Sequence, residues 1–208
     1  EQAAKLAGTP AVFPVYAGRR VVLEGGSIDV NGSGSLLTTR ECLLSEVQQR
    51  NPGLEREQIE ALLEGWLGAS NVIWLDRGIA GDDTHGHVDD IARFASRNTV
   101  VAAYEQNREE TNHEFLRENY ETLRQSADER GTKLRVIPLP MPKPVYYAGQ
   151  RLPASYANFY IANKTVLVPT FHDPNDRIAV NILARVFPGR EVIGIHAVDL
   201  VLGLGTLH

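Results

Sequence analysis

The chain has 208 residues, 43% of them apolar and 23% charged, with a formal net charge of −5, a balance that excludes a disordered or fibrous protein and allows a buried core. The acidic surplus, opposed by no Lys/Arg cluster, excludes a general nucleic-acid partner and suits a small cationic one. Charged residues interrupt every apolar stretch before the roughly 18 residues that span a bilayer, and no basic-then-apolar leader opens the chain, so no membrane partner and a cytoplasmic location are expected.

In chain order, one pattern occurs three times: a short polar or glycine-bearing strand, a second apolar strand, an amphipathic helix and a closing apolar strand. The first copy opens on a strand near residues 23–28 and continues with 35–39. Its helix carries Ile59, Leu62, Leu63 and Trp66 at the spacing of one buried face, and 71–75 closes it. The second opens on a strand over 87–94 and continues with 99–104. Leu116, Tyr120, Leu123 and Ala127 form its helical stripe, Gly131 is the expected helix stop, and 134–139 closes the unit. Residues 138–153, with five prolines, read as a surface loop. In the third copy, strands over 155–161 and 165–169 flank an Asn163-Lys164 turn. Its helix has Asp173 as N-cap, Pro174 at the first helical position, and Ile178, Ile182, Leu183 and Val186 on one face before Pro188-Gly189. Residues 192–195 close it.

These readings place the repeats at about 11–80, 81–150 and 151–200, with a fourth beginning near 201, all in a single partial domain covering 1–208. Two strands before each helix suit an α/β propeller; a doubly wound sheet is the alternative. The start at Glu1 and the stop at His208 after the apolar run 200–207 read as a segment of a longer protein.

In a closed ring of such units the opening strands lie nearest the axis, so their polar residues converge. Those residues are Glu24 in the first copy, His87 and Asp89 in the second, Asn158 in the third and His208 at the start of the fourth. On a strand, His85, His87 and Asp89 would share one face. A divalent metal site is one reading of that run, acid/base chemistry by His87 with Asp89 holding a cation is a second, and a surface or core-satisfied histidine is the third.

Further residues carry a resemblance. Residues 22–28 (VLEGGSI), 36–44 (LLTTRECLL), 81–89 (GDDTHGHVD) with Ala92-Arg93-Phe94, 155–160 (SYANFY), 166–171 (VLVPTF) and 173–176 (DPND) resemble the agmatine deiminases in order and spacing. That family lies within the Porphyromonas-type peptidylarginine deiminases and the pentein superfamily. The resemblance implies a five-bladed α/β propeller of ββαβ units, of which this chain holds about three. It also implies a hydrolase converting agmatine and water to N-carbamoylputrescine and ammonia, in putrescine and polyamine biosynthesis. A cysteine thiolate would attack the guanidinium carbon, His87 would serve as acid and then base, and Asp89 would take two parallel hydrogen bonds from the guanidinium. Glu24 would hold His87 or a guanidinium nitrogen, and Asn158 would join the substrate site. Asp83, with Asp82, would attract the distal amine of agmatine near the site mouth. No metal and no cofactor enter this scheme, and homo-oligomers are common in the family.

In the family the motif matching 203–208 is followed at once by the nucleophilic cysteine, so the chain as written is expected to lack turnover. Cys42, the one cysteine, allows neither a disulfide nor a cysteine metal cage and reads as a small buried thiol. Trp66 and Trp74 read as core or inter-blade fillers, and Tyr146-Tyr147 as packing within the proline-rich loop. Two alternatives remain: a peptidylarginine deiminase or other guanidino-modifying enzyme on the same residues, and a non-catalytic binding protein on the same fold.

Overall fold

A computed structural model of the chain describes residues 2–208. It begins with a short helix α1 (Gln2–Ala7) and a two-residue hairpin, β1 (Val15–Tyr16) and β2 (Arg19–Arg20), all largely exposed. Three repeated units follow.

The first unit comprises β3 (Asp29–Val30), β4 (Ser35–Thr39), a one-turn helix α2 (Arg40–Leu44), helix α3 (Arg56–Leu67) and β5 (Asn71–Leu75). Strand β4 is buried along its whole length, as a strand covered on both faces must be. Helix α3 starts in a reciprocal capping box between Glu55 and Gln58 and ends on Gly68 in the left-handed conformation (φ 69°), a combination that satisfies the orphan backbone groups at both ends. It buries Ile59 and Leu63, whereas Trp66, expected in the core, is 49% exposed. The buried stripe is narrower than the sequence spacing suggested.

The second unit is β6 (Ala92–Ser96), β7 (Thr99–Tyr104), α4 (His113–Gln125) and β8 (Arg135–Pro140). Gly131 does not stop α4, which ends at Ser126. The glycine (φ 78°) instead turns the chain between Ala127 and Lys133, which pair as an isolated bridge. A hairpin of β9 (Val145–Tyr147) and β10 (Gln150–Leu152) occupies much of the expected loop, and Tyr146 and Tyr147 stand exposed on it rather than packed. The third unit is β11 (Tyr160–Ile161), β12 (Thr165–Thr170), α5 (Asn175–Val186) and β13 (Glu191–His196). The N-cap of α5 is Pro174 rather than the expected Asp173, whose carboxylate, one residue earlier, accepts from the Asn175 N–H at 2.8 Å. Ala179 and Leu183 are buried while Ile178 is 49% exposed, so the helical stripe is rotated from the expected one.

Each unit is a three-stranded sheet with the first strand antiparallel to the second and the second parallel to the third across the helix. A parallel pair needs a long crossover, which the helix supplies. The first strands are the shortest and lie side by side. Arg93 on β6 ties all three together: its Nε donates to Asp29 Oδ1 on β3 at 2.6 Å, and its Nη1 donates to the Phe159 carbonyl beside β11 at 2.9 Å. Glu129 of the second unit accepts from Asn31 Nδ2 and Ser35 Oγ of the first and pairs with Arg97 of its own unit. The apolar core forms three clusters: one within the first unit, one joining Leu37, Ile73 and Leu75 of the first unit to the second, and one joining Val101 and Leu139 of the second unit to the third.

Candidate active site

The residues expected to converge do not sit on the opening strands. They sit one turn earlier. Ser27 N–H donates to the Glu24 carbonyl, Ile91 N–H to that of Val88, and Asn158 N–H to that of Ser155, so each unit enters its first strand through a single tight turn. The alternation of His85, His87 and Asp89 is therefore not strand alternation. His85 is in a left-handed conformation (φ 58°) and Val88–Asp90 form a 3₁₀ turn. The physical reason is local: Asp82 accepts from the backbone N–H groups of Thr84, Gly86 and His87, which folds 82–87 into a loop that no ladder could match.

Within this frame three predicted residues come together. His87 Nε2 is hydrogen-bonded to Glu24 Oε2 at 2.9 Å. A Cβ built on Gly26 would stand 2.6 Å from His87 Nδ1 and 2.8 Å from Asp89 Oδ2, so both side chains close on the same glycine. Asp89 is buried, and its Oδ2 is hydrogen-bonded to Nδ1 of His208 at 2.8 Å. Asn158 lies behind this group. Its Oδ1 accepts from the N–H groups of Thr206, Leu207 and His208, which makes it an anchor of the 206–208 segment. Asp83 is exposed, outside the cluster.

Several partners escaped the sequence reading. Arg50 donates from Nε to Glu24 Oε2 at 2.9 Å and from Nη2 to the Thr84 carbonyl, so it joins the Glu24 and His87 segments. Burial pushes the Glu24 carboxyl up, but the His87 hydrogen bond and the Arg50 charge outweigh it and hold it below its usual value. Asp90, fully buried, has one oxygen without a partner. Burial first, and the neighbouring Asp89 second, raise its carboxyl well above the ordinary range. Cys42 is fully buried, at the start of α2 beneath Glu24 and His87. Loss of solvation pushes its thiol up to about 12, with the Glu24, Asp82 and Glu41 carboxylates adding to the effect against Arg50. A thiol so protonated is a poor nucleophile. Arg50 and Cys42 follow the first unit's second strand, far from Glu24 along the chain, and no spacing rule reaches them.

An imidazole bonded to a carboxylate, beside a second buried carboxylate, can hold a planar cation and exchange a proton with it. Among the described residues no helix is long and apolar enough to cross a membrane.

Known proteins carry the same fold. The chain is 41% identical over 206 residues to a Latilactobacillus sakei protein provisionally named an agmatine deiminase, covering 90% of this chain and 56% of that one. A solved Campylobacter jejuni agmatine deiminase with substrate bound is 38% identical with a TM-score of 0.81, over 89% of this chain and 54% of that one. The Enterococcus faecalis agmatine deiminase, solved catalysing its reaction, is 34% identical with a TM-score of 0.88, over all of this chain and 60% of that one. The chain thus spans about half the length of the curated relatives it matches. The ββαβ units are shared with these solved deiminases. The sequence profile described as Porphyromonas-type peptidyl-arginine deiminase matches residues 2–208, and the chain belongs to that family.

Proposed function

We propose that the chain is part of a deiminase that hydrolyses agmatine to N-carbamoylputrescine and ammonia in the cytoplasm, as a step supplying putrescine for polyamines. The observation that carries this reading is the Glu24–His87 hydrogen bond closed with Asp89 around Gly26. Asp89 and Glu24 bind the guanidinium by charge and paired hydrogen bonds, and fixing that cation keeps its carbon electrophilic. His87 protonates the departing ammonia and then takes a proton from the water that hydrolyses the amidino-thioether. Asn158 holds residues 206–208 against Asp89, so a cysteine following His208 in the parent protein would lie at the edge of this site. This reading assigns the nucleophile to that cysteine and not to Cys42, whose thiol is buried and pushed up to about 12.

The test is ammonia release. The full-length parent with agmatine is expected to release ammonia, and His87→Ala or Glu24→Gln in that parent to abolish it. The 208-residue chain alone is expected to release none. Turnover by the chain that disappears in Cys42→Ala would overturn the assignment of the nucleophile. Preference for a peptidyl arginine over agmatine would overturn the substrate.

A further inference from the structure

The floor of the site contains a ligand set of which the proposed deiminase chemistry uses two members, Glu24 and His87, and leaves the third, Cys42, without a role. Glu24, Cys42 and His87 each offer one ligand atom, and the three atoms lie within 4.8 Å of one another. A four-coordinate zinc ion holds sulfur at about 2.3 Å, imidazole nitrogen at about 2.0–2.1 Å and carboxylate oxygen at about 2.0–2.2 Å, so neighbouring ligand atoms stand roughly 3.3–3.6 Å apart. His87 Nε2 and Glu24 Oε2 already stand 2.9 Å apart. The remaining adjustment is of side-chain size. The donors come from three segments that the fold already holds: Glu24 by Arg50, the His87 backbone by Asp82, and Cys42 by the Thr39 Oγ1 that accepts from its N–H.

One sulfur, one nitrogen and one oxygen form a set that favours a borderline-soft cation over magnesium or calcium. We propose that Glu24, Cys42 and His87 bind a zinc-class divalent cation, leaving a fourth position to water, and that its occupancy blocks the guanidinium site. The metal–sulfur bond forms as the Cys42 S–H breaks, and the proton leaves to solvent, so two positive charges enter and one departs. Arg50 opposes entry, because its Nε shares Glu24 Oε2. It keeps its bonds to the Gln48 and Thr84 carbonyls while one carboxylate oxygen turns to the metal. The blocking arm rests on the proposed function, since both cations would need the Glu24 carboxylate; the metal site itself does not.

The experiment titrates the 208-residue chain with Co²⁺ and then Zn²⁺. One equivalent of Co²⁺ is expected to give a thiolate-to-cobalt charge-transfer band that Zn²⁺ removes. Loss of one ligand is expected to weaken Zn²⁺ binding by more than about 100-fold, beyond the effect of removing a supporting partner. The variants are Cys42→Ala, His87→Ala and Glu24→Gln; the last lies on a half-exposed side chain and tests the site even where Cys42→Ala fails to fold. His85→Ala is the control and is expected to bind unchanged. A cobalt spectrum without the thiolate band, Zn²⁺ affinity unchanged in Glu24→Gln, or affinity lost in His85→Ala would each overturn the site. Agmatine binding to the metal-free full-length parent is measured separately. No binding there would sink the deiminase reading alone, whereas agmatine that binds but does not compete with Zn²⁺ would sink the blocking arm.

Discussion

A missing side chain governs the geometry at Gly26. His87 and Asp89 occupy the space that a methyl group there would claim, at 2.6 and 2.8 Å, and real Cβ contacts do not come that close. Gly26→Ala in the full-length parent must displace both groups by a sizeable fraction of an ångström. A shift of that order at a reacting group lowers kcat/KM by about 100-fold, to be read from ammonia release, with the circular-dichroism spectrum unchanged. Arg93 is a second such position. It and Asp29 are both nearly buried and bonded at 2.6 Å. Burial already pushes the Asp29 carboxyl up, against the pull of Arg93. Arg93→Leu leaves that carboxylate buried without its cation, at a cost of about 3–5 kcal/mol in urea unfolding. Glu24, His87 and Asp89 were legible in the sequence because acids and imidazoles beside glycines stand out in otherwise apolar repeats. Arg50 was not, because an arginine in an aperiodic stretch looks like an ordinary surface residue, and Asp82 stood out only beside Asp83, because an aspartate folding its own loop leaves no mark of that work in the sequence.

At the scale of elements, hydrophobic period identified every repeated helix and most of the strands, and on α4 also the buried face with Leu116 and Leu123, but not the whole buried face of α3 or α5. On α5 the sequence places Ile178 and Leu183 on the same stripe, whereas Leu183 is fully buried and Ile178 half exposed. Leu183→Ala is therefore expected to cost about 2–5 kcal/mol and Ile178→Ala under about 0.5 kcal/mol, compared by thermal denaturation of the two variants. The opening strands were read too long for a related reason. A stretch such as 87–94 has strand-like composition, yet Asp82 and the turn at Val88–Asp90 take its backbone bonds first, leaving only Ala92–Ser96 to pair with β7.

Across the whole molecule, the first and second units are clamped by Glu129, which is bonded to Asn31 and Ser35. Hydrogen bonds from Asn31, and with them those from Ser35, Arg97 and its own backbone, outweigh burial and hold the Glu129 carboxyl down at about 2, against an ordinary 4.5. A carboxyl depressed in the folded state contributes stability that is complete above pH 4.5 and is lost as pH falls toward 2. Acid unfolding followed by circular dichroism should lose stability through that window. Glu129→Gln should flatten this part of the curve; an unchanged slope would remove Glu129 from the clamp.

The sequence alone determined the repeat, the α/β class and strands such as Ser35–Thr39, Asn71–Leu75 and Thr99–Tyr104, because period and propensity are properties of neighbouring residues. It also named the acids and the imidazole, because their chemistry belongs to the side chain itself. Only the tertiary structure decided that Cys42 lies under Glu24 and His87, that Arg50 shares the same carboxylate oxygen, and that Asn158 serves the 206–208 segment. Those relations join residues tens of positions apart through contacts a few ångströms long. Such contacts exist only once the three sheets have closed side by side.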